Sequence, residues 1–266
     1  MELNGTTALV TGGARGIGRE LTRQLVSFGA HVVAVGSNPK GLAELAAEHG
    51  TLVSTDTVDL SDPEAVDAYT DELPQRHPGL SVVVNNAGVQ NLSDFLTSDP
   101  HRIRPLLRRE LAVNLDAVIT LSTGLLPHLK QHPSAAIVNI SSGLAVIPKP
   151  SAPVYCAAKA GVRTFTRALR YQCDDAAPHI RVIDAILPLV DRHDGRPRPG
   201  KDHPGTGGTR GDRRPPPGQD GDLHRQGTPS PRPHAGRPFA RIPGVAPWLM
   251  PRRSSRHTPP AARVVF

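Results

Sequence analysis

The 266-residue sequence is poor in the features that would place it in several broad classes. It has two cysteines, Cys156 and Cys173, too few for a disulfide framework and without a metal-ligand spacing. No metal centre is expected. No uninterrupted apolar run is long enough to span a bilayer. The N-terminus lacks a basic segment followed by an apolar one, the mark of a secretory signal. A reducing cytoplasm is the location these absences suggest. Aromatic residues make up only 3% of the chain, with one tryptophan. That leaves few rings on which nucleic-acid bases would stack.

What is abundant is unevenly placed. The net charge of +7 and the 28 prolines are averages over two unlike parts. Up to Asp191 there are 16 Lys and Arg against 19 Asp and Glu; from Arg192 onward there are 15 against 5. Fifteen of the prolines also lie after Asp191. The basic character belongs to the tail, so it says nothing about the partners of the first part. Residues 1–191 are read as one domain and 192–266 as a Pro/Arg/Gly-rich tail too poor in apolar residues to offset the entropy of ordering, hence disordered.

The first part alternates short apolar runs with amphipathic stretches. "ALV" from Ala8 precedes a glycine turn, and Ile17, Leu21, Leu25 and Phe28 then recur at helical spacing. "HVVAVG" reads as a second strand, buried on both sides. Further strands are expected at 51–58, 80–85, 135–141 and 180–187. Helices are expected at 39–49, 62–76, 102–131 with a break, and 154–175. Such alternation predicts an α/β fold with a doubly wound parallel sheet.

Three motifs sit on this frame. "TGGARGIG" supplies Gly12, Gly13, Gly16 and Gly18 between a strand and a helix. A turn without Cβ atoms lets the backbone approach a pyrophosphate, and the helix start offers free N–H groups and a positive dipole end. "NNAG" spans Asn85 to Gly88. "SSGLAVIPKPSAPVYCAAK" holds Ser142, then Tyr155 thirteen residues on, then Lys159 four further. A Tyr and a Lys at i and i+4 share a helix face. A tyrosine has a free pKa of about 10, and a neighbouring ammonium brings it toward neutrality by favouring the phenolate. A serine hydroxyl can donate to a carbonyl oxygen as negative charge builds there. Read singly, Tyr155 is an ordinary core aromatic and Lys159 a solvated helix charge. The three motifs together favour catalysis. Cys156, beside Tyr155, reads as packing.

In these motifs, in this order, residues 1 to about 191 resemble the short-chain dehydrogenase/reductase family. The resemblance implies a Rossmann-like domain and NAD(P)-dependent carbonyl reduction or alcohol oxidation on a small-molecule substrate. It implies Ser142, Tyr155 and Lys159 as catalytic residues, with Asn114 of "LAVNLDAV" as a fourth that holds a proton-relay water near Lys159. It implies cofactor contacts from Gly12, Arg15, Gly16, Ile17, Gly18 and Ser37, and from Tyr155 and Lys159. Asn86, Ala87 and Gly88 would lie beside the adenosine ribose, and Asp59 of "TVDLSD" would accept from the adenine amino group; read by itself, Asp59 is a strand-end or cap residue. Pairing of copies through the helices at 102–131 and 154–175 is a further implication of the family.

The choice of nicotinamide rests on the end of the second strand. A carboxylate there would bind a ribose 2′-OH and repel a 2′-phosphate. "VGSNPKG" has none. Arg15 stands in the glycine turn and Lys40 nearby, while Ser37 occupies a place where NADP-using relatives often carry arginine. NADP(H) is favoured over NAD(H).

After "RVIDAILPLVD" the resemblance ends. Relatives continue with a loop and helix that cover the nicotinamide and with a seventh strand. Here come prolines and arginines, the composition produced when GC-rich coding DNA is read out of frame. Codons can be chosen for 192–195, 200–208 and 219–225 so that one shared slide of the frame gives a loop, a helix start and a strand-like run. A frameshift near codon 192 is therefore the favoured account, and it implies an enzyme impaired by its C-terminus. The competing reading is a catalytically dead Rossmann domain with a basic tail that binds nucleic-acid phosphates. The scarcity of aromatics argues against that partner.

Overall fold

A computed structural model describes residues 1–187. The six strands are β1 (Thr7–Thr11), β2 (His31–Gly36), β3 (Val53–Thr57), β4 (Leu80–Asn85), β5 (Ala135–Ser142) and β6 (Ile180–Leu187). All pair in parallel, in the order β3-β2-β1-β4-β5-β6. The chain fills one side of β1, then returns across it to lay β4 on the other. This creates a topological switch point between β1 and β4, where such sheets open a crevice at their carboxyl ends.

Because successive strand residues face opposite ways, the apolar runs feed two cores. Ala8, Val10, Val32, Ala34, Val82 and Val138 pack against α1 (Gly16–Ser27) and α2 (Pro39–His49) through Leu21, Leu25, Leu42 and Leu45. Leu9, Val33, Val83 and Ile137 face α3 (Pro63–Arg76), α5 (Ala117–Gly124) and α7 (Pro153–Ala176) through Leu73, Leu121 and Leu169. The doubly wound parallel sheet expected from the sequence is the observed fold.

Local chemistry sets the helix ends. Asn38, Asp62 and Asp99 cap α2, α3 and α4 (Pro100–Leu111), each accepting a backbone N–H and each followed by proline. Gly50 closes α2 at a φ of +59° and opens a short 3-10 turn at Gly50–Leu52, so β3 starts two residues later than the pattern at 51–58 suggested. The long helix expected at 102–131 is broken into α4, a π-helical turn at Ala112–Asp116, α5 and α6 (Leu126–Leu129). On α1 the apolar stripe is only half core. Leu21 and Leu25 are buried, but Ile17 and Phe28, at the two ends of the helix, are exposed.

Candidate active site

β1, β4 and β5 end at the same sheet edge, and each ends in a motif. From β1 the chain turns through Gly12 and Gly16, at φ of +65° and +51°. Among the described residues, nothing lies within 4 Å of where a Cβ on Gly16 would stand. At Gly18 the constraint is space: a Cβ would fall 2.1 Å from the Gly12 carbonyl oxygen and 2.6 Å from Asn86 Nδ2. Gly18 lets α1 press on the turn that precedes it. Arg15 at the start of α1 makes no capping side-chain bond among the described residues, and the first turn carries no acid. The leading N–H groups and positive dipole end of α1 are thus left for an anionic ligand. This fits the pyrophosphate of a dinucleotide.

The glycine turn and "NNAG" are joined by Thr11, which is 2% exposed. Its Oγ1 accepts from the backbone N–H groups of Asn86 and Ala87, both at 2.9 Å, and Asn86 Nδ2 donates to the Thr11 carbonyl at 2.9 Å. Thr11 was not among the sequence-derived site residues. It stands first in "TGGARGIG", so position was a signal, but its two acceptor bonds emerge only when β1 and β4 are neighbours.

Behind "NNAG" lies the π-turn. Asn114 is fully buried and grips Val89 twice: Oδ1 accepts from the Val89 N–H at 3.0 Å and Nδ2 donates to its carbonyl at 2.7 Å. Both ends of the amide are engaged in holding the backbone. A π-turn, which interrupts the helical hydrogen-bond register and recurs at functional sites, puts Asn114 there. A Cβ on Gly88 would meet Asn114 Oδ1 at 3.1 Å and Lys159 Nζ at 3.9 Å. The loop after β4, the π-turn and α7 converge at that point.

Lys159 is 3% exposed, unusual for an ammonium. It donates to the Ile140 carbonyl on β5 at 2.8 Å, and its Nζ lies 5.9 Å from the centre of the Tyr155 ring. Tyr155 itself is half-buried. Ser142 ends β5, and its Oγ accepts from the Leu144 N–H at 3.2 Å. The neighbouring Ser141 hydroxyl points to the other side and donates to Asp184 on β6. Strand alternation thus separates the two serines: Ser141 is tied into the sheet, while Ser142 meets the turn that leads to α7.

The adenosine-side candidates are more open. Arg15, Ser37 and Asp59 are all exposed. The start of α2 approaches the glycine turn, where a Cβ on Gly41 would come 3.6 Å from the Ala14 methyl. Asp59 Oδ1 accepts from the Ser61 N–H and hydroxyl, at 3.0 and 2.7 Å. These bonds hold its carboxyl below the usual aspartate range, so it is an anionic acceptor at neutral pH. Beneath the edge, Asn85 Nδ2 donates to Ser122 Oγ and Asn139 Oδ1, and Asn139 Nδ2 to Thr166 Oγ1. This buried chain joins β4 and β5 to α5 and α7.

Nothing metal-like accompanies these groups: among the described residues no cluster of three or more His, Cys, Asp or Glu is placed to hold an ion. No described helix is long and apolar enough to cross a membrane. Cys156 is buried and its Sγ accepts from the Lys149 N–H, a packing position.

Residues 6–193 of the chain match the short chain dehydrogenase family model. The chain belongs to that family. It is an NAD(P)-dependent dehydrogenase/reductase by membership. The oxidoreductase DltE of Bacillus subtilis strain 168 is 36% identical over 191 residues, which cover 72% of this chain and 74% of that protein. The 3-oxoacyl-[acyl-carrier-protein] reductase FabG of Haemophilus influenzae is 29% identical over 63% of this chain and 67% of its own length. Among solved structures, a 3-ketoacyl-(acyl-carrier-protein) reductase from Brucella melitensis complexed with NADH aligns with a TM-score of 0.63 at 28% identity, covering 70% of this chain and 76% of that one. A metagenomic short-chain oxidoreductase in complex with NADP aligns with a TM-score of 0.62 at 27% identity, over 72% and 84% of the two chains.

Proposed function

We propose that this chain reduces a small-molecule carbonyl, or oxidises the corresponding alcohol, with NADP(H) preferred to NAD(H). The observation that carries the reading is the buried Lys159 ammonium next to the Tyr155 ring, at the switch point and beside Gly88. When bound, the nicotinamide supplies or takes the hydride. The protein manages the proton. Tyr155 gives it to the carbonyl oxygen or removes it from the alcohol. Lys159, fixed by the Ile140 carbonyl, favours the phenolate electrostatically. Ser142 donates to the oxygen that gains charge. Asn114 keeps the Val89 backbone, and with it Gly88, against Lys159.

Gly12, Arg15, Gly16, Ile17 and Gly18 would line the pyrophosphate, Asn86, Ala87 and Gly88 the ribose side, and Asp59 the adenine. The preference for NADP(H) is supported by the absence of a carboxylate at Gly36–Asn38 and by the exposed cations Arg15 and Lys40 around the turn. A cytoplasmic location and self-association through 102–131 and 154–175 are part of the same reading. The tail from 192 lies outside the described residues, so its order and the proposed frameshift belong to this reading as well.

The test is NADPH oxidation over a panel of aldehydes and ketones, for this chain and for a version with the frame restored after codon 191. Tyr155→Phe should abolish turnover while leaving dinucleotide binding in place. Full activity in Tyr155→Phe would remove Tyr155 from the chemistry. Tighter binding of NADH than of NADPH would reverse the cofactor preference.

A further inference from the structure

Glu110 is a fully buried carboxylate, 0% exposed, that no role above uses. Among the described residues it makes no ion pair. Burial pushes its carboxyl above the usual glutamate range. A lone buried acid is costly to keep, so its bonds are informative. Oε1 accepts from the Asn91 N–H at 3.4 Å, and Oε2 from Asn91 Nδ2 at 3.3 Å. Asn91 Nδ2 also donates to the Leu106 carbonyl at 3.4 Å, which fixes the orientation of that amide. Two donors therefore face position 110, and a carboxylate side chain offers two acceptors where a glutamine offers one.

The wider pattern gives this pair its meaning. The irregular segment after β4 is held at alternate residues. Ala87 donates its N–H to Thr11, Val89 to Asn114, Asn91 to Glu110 and Ser93 to the Ser151 carbonyl, two residues before α7. Glu110 and Asn114 are i and i+4 across the start of the π-turn, so one helix face supplies two successive clamps. Between Thr11 and these clamps lies Gly88, against Asn114 Oδ1 and Lys159 Nζ.

We propose that Glu110 is a positioning residue for the nicotinamide half of the cofactor site: by holding Asn91 it sets the path of residues 89–91, which continue from the adenosine-ribose contacts Asn86, Ala87 and Gly88 past Asn114. This rests on the cofactor reading above. It does not involve the adenosine half, which sits against the glycine turn, Arg15, Asp59 and residues 86–88, the last held by Thr11 rather than by Glu110. Glu110 touches no reacting atom and acts through the loop.

The experiment compares full-length wild type, Glu110→Gln, Glu110→Ala and Asn91→Ala. Affinity is measured by fluorescence for NADPH and NADH, and by calorimetry for the matching adenosine half, adenosine 2′,5′-bisphosphate or ADP. Deuterium exchange is followed in the peptides covering 86–93 and 7–18. Loss of one clamp should weaken the dinucleotide by up to about tenfold, the scale of one hydrogen bond. The adenosine half should bind as in wild type, and exchange should quicken in 86–93 alone. Glu110→Gln, with one acceptor left, should fall between wild type and Glu110→Ala. The double variant Glu110→Ala with Asn91→Ala should be no worse than either single one. Unchanged dinucleotide affinity would overturn the proposal. So would equal weakening of dinucleotide and adenosine half with faster exchange throughout, which would mark Glu110 as merely structural. A wild type that binds no nucleotide would overturn the cofactor reading, and this inference with it, whatever the exchange shows.

Discussion

Thr11→Val is the sharpest perturbation of the site's frame. The side chains are nearly equal in volume, so the change isolates the hydroxyl. In the native protein that oxygen accepts from two backbone N–H groups, Asn86 and Ala87, at 2.9 Å each. Valine accepts from neither. An orphaned buried N–H costs about 1–3 kcal/mol. Both groups are half-buried here, and partial hydration keeps each near the lower end. The gain from burying a methyl in place of a hydroxyl is less than about 1 kcal/mol. The net loss is about 2 kcal/mol, a large part of the roughly 5–15 kcal/mol that stabilises a typical domain. In a domain of this size it lowers the melting temperature by about 4–8 °C. The functional effect should exceed the stability effect, because the released residues are those proposed to lie beside the adenosine ribose. Urea unfolding and fluorescence titration with NADPH read the two effects separately. Thr11→Ser retains the hydroxyl and should recover most of both. A Thr11→Val protein within about 0.5 kcal/mol of wild type, the usual range for substitutions away from special sites, and with unchanged NADPH affinity, would refute the claim that Thr11 joins the two motifs.

Gly18→Ala should be worse than Gly16→Ala in stability, because its methyl meets the Gly12 carbonyl while the space at Gly16 is open; denaturation midpoints in the reverse order would contradict this. Gly16→Ala should cost about 1 kcal/mol through its positive φ, and more in NADPH affinity, read by titration. The raised carboxyl of Glu110 has a definite sign: the folded state holds its proton more tightly than the unfolded chain, so this group's favourable contribution is present in acid and is lost as pH rises from the ordinary carboxylate range through the raised value. Glu110→Gln should remove that decline, and parallel stability–pH curves for the two proteins would count against it. The frame-restored chain should turn over carbonyl substrates faster than the chain as written; equal rates would show that the segment after codon 191 does not limit the enzyme.

Much of this was legible in the residues. Two-sided apolar runs such as "HVVAVG" have one low-energy use, a parallel strand between helix layers, and the motifs lie at strand ends because ligand loops must. The spacing of Ser142, Tyr155 and Lys159 is likewise local: thirteen residues take the chain from the end of β5 to α7, and four more make one helical turn. Asn114 was legible only through resemblance, since no local rule places a π-turn at Ala112–Asp116. Ile17 and Phe28 joined the helical stripe by periodicity, which does not say where along α1 the core ends, and both lie outside it.

Thr11, Glu110 and the chain from Asn85 through Asn139 to Thr166 could not be read in this way. Their partners are 75, 19 and up to 54 residues distant in sequence. A threonine, a glutamate and two asparagines are bland by type; what each accepts or donates depends on which backbone groups are brought against it. By itself the sequence determined the elements, their order and the chemistry available, because propensity, hydrophobic period and glycine placement act over a few residues. Only the tertiary structure decided which polar atoms meet. Hydrogen bonds reach about 3 Å, and it is the packing of β1 against β4 and of α4 against the loop that follows β4 that brings the groups within that distance.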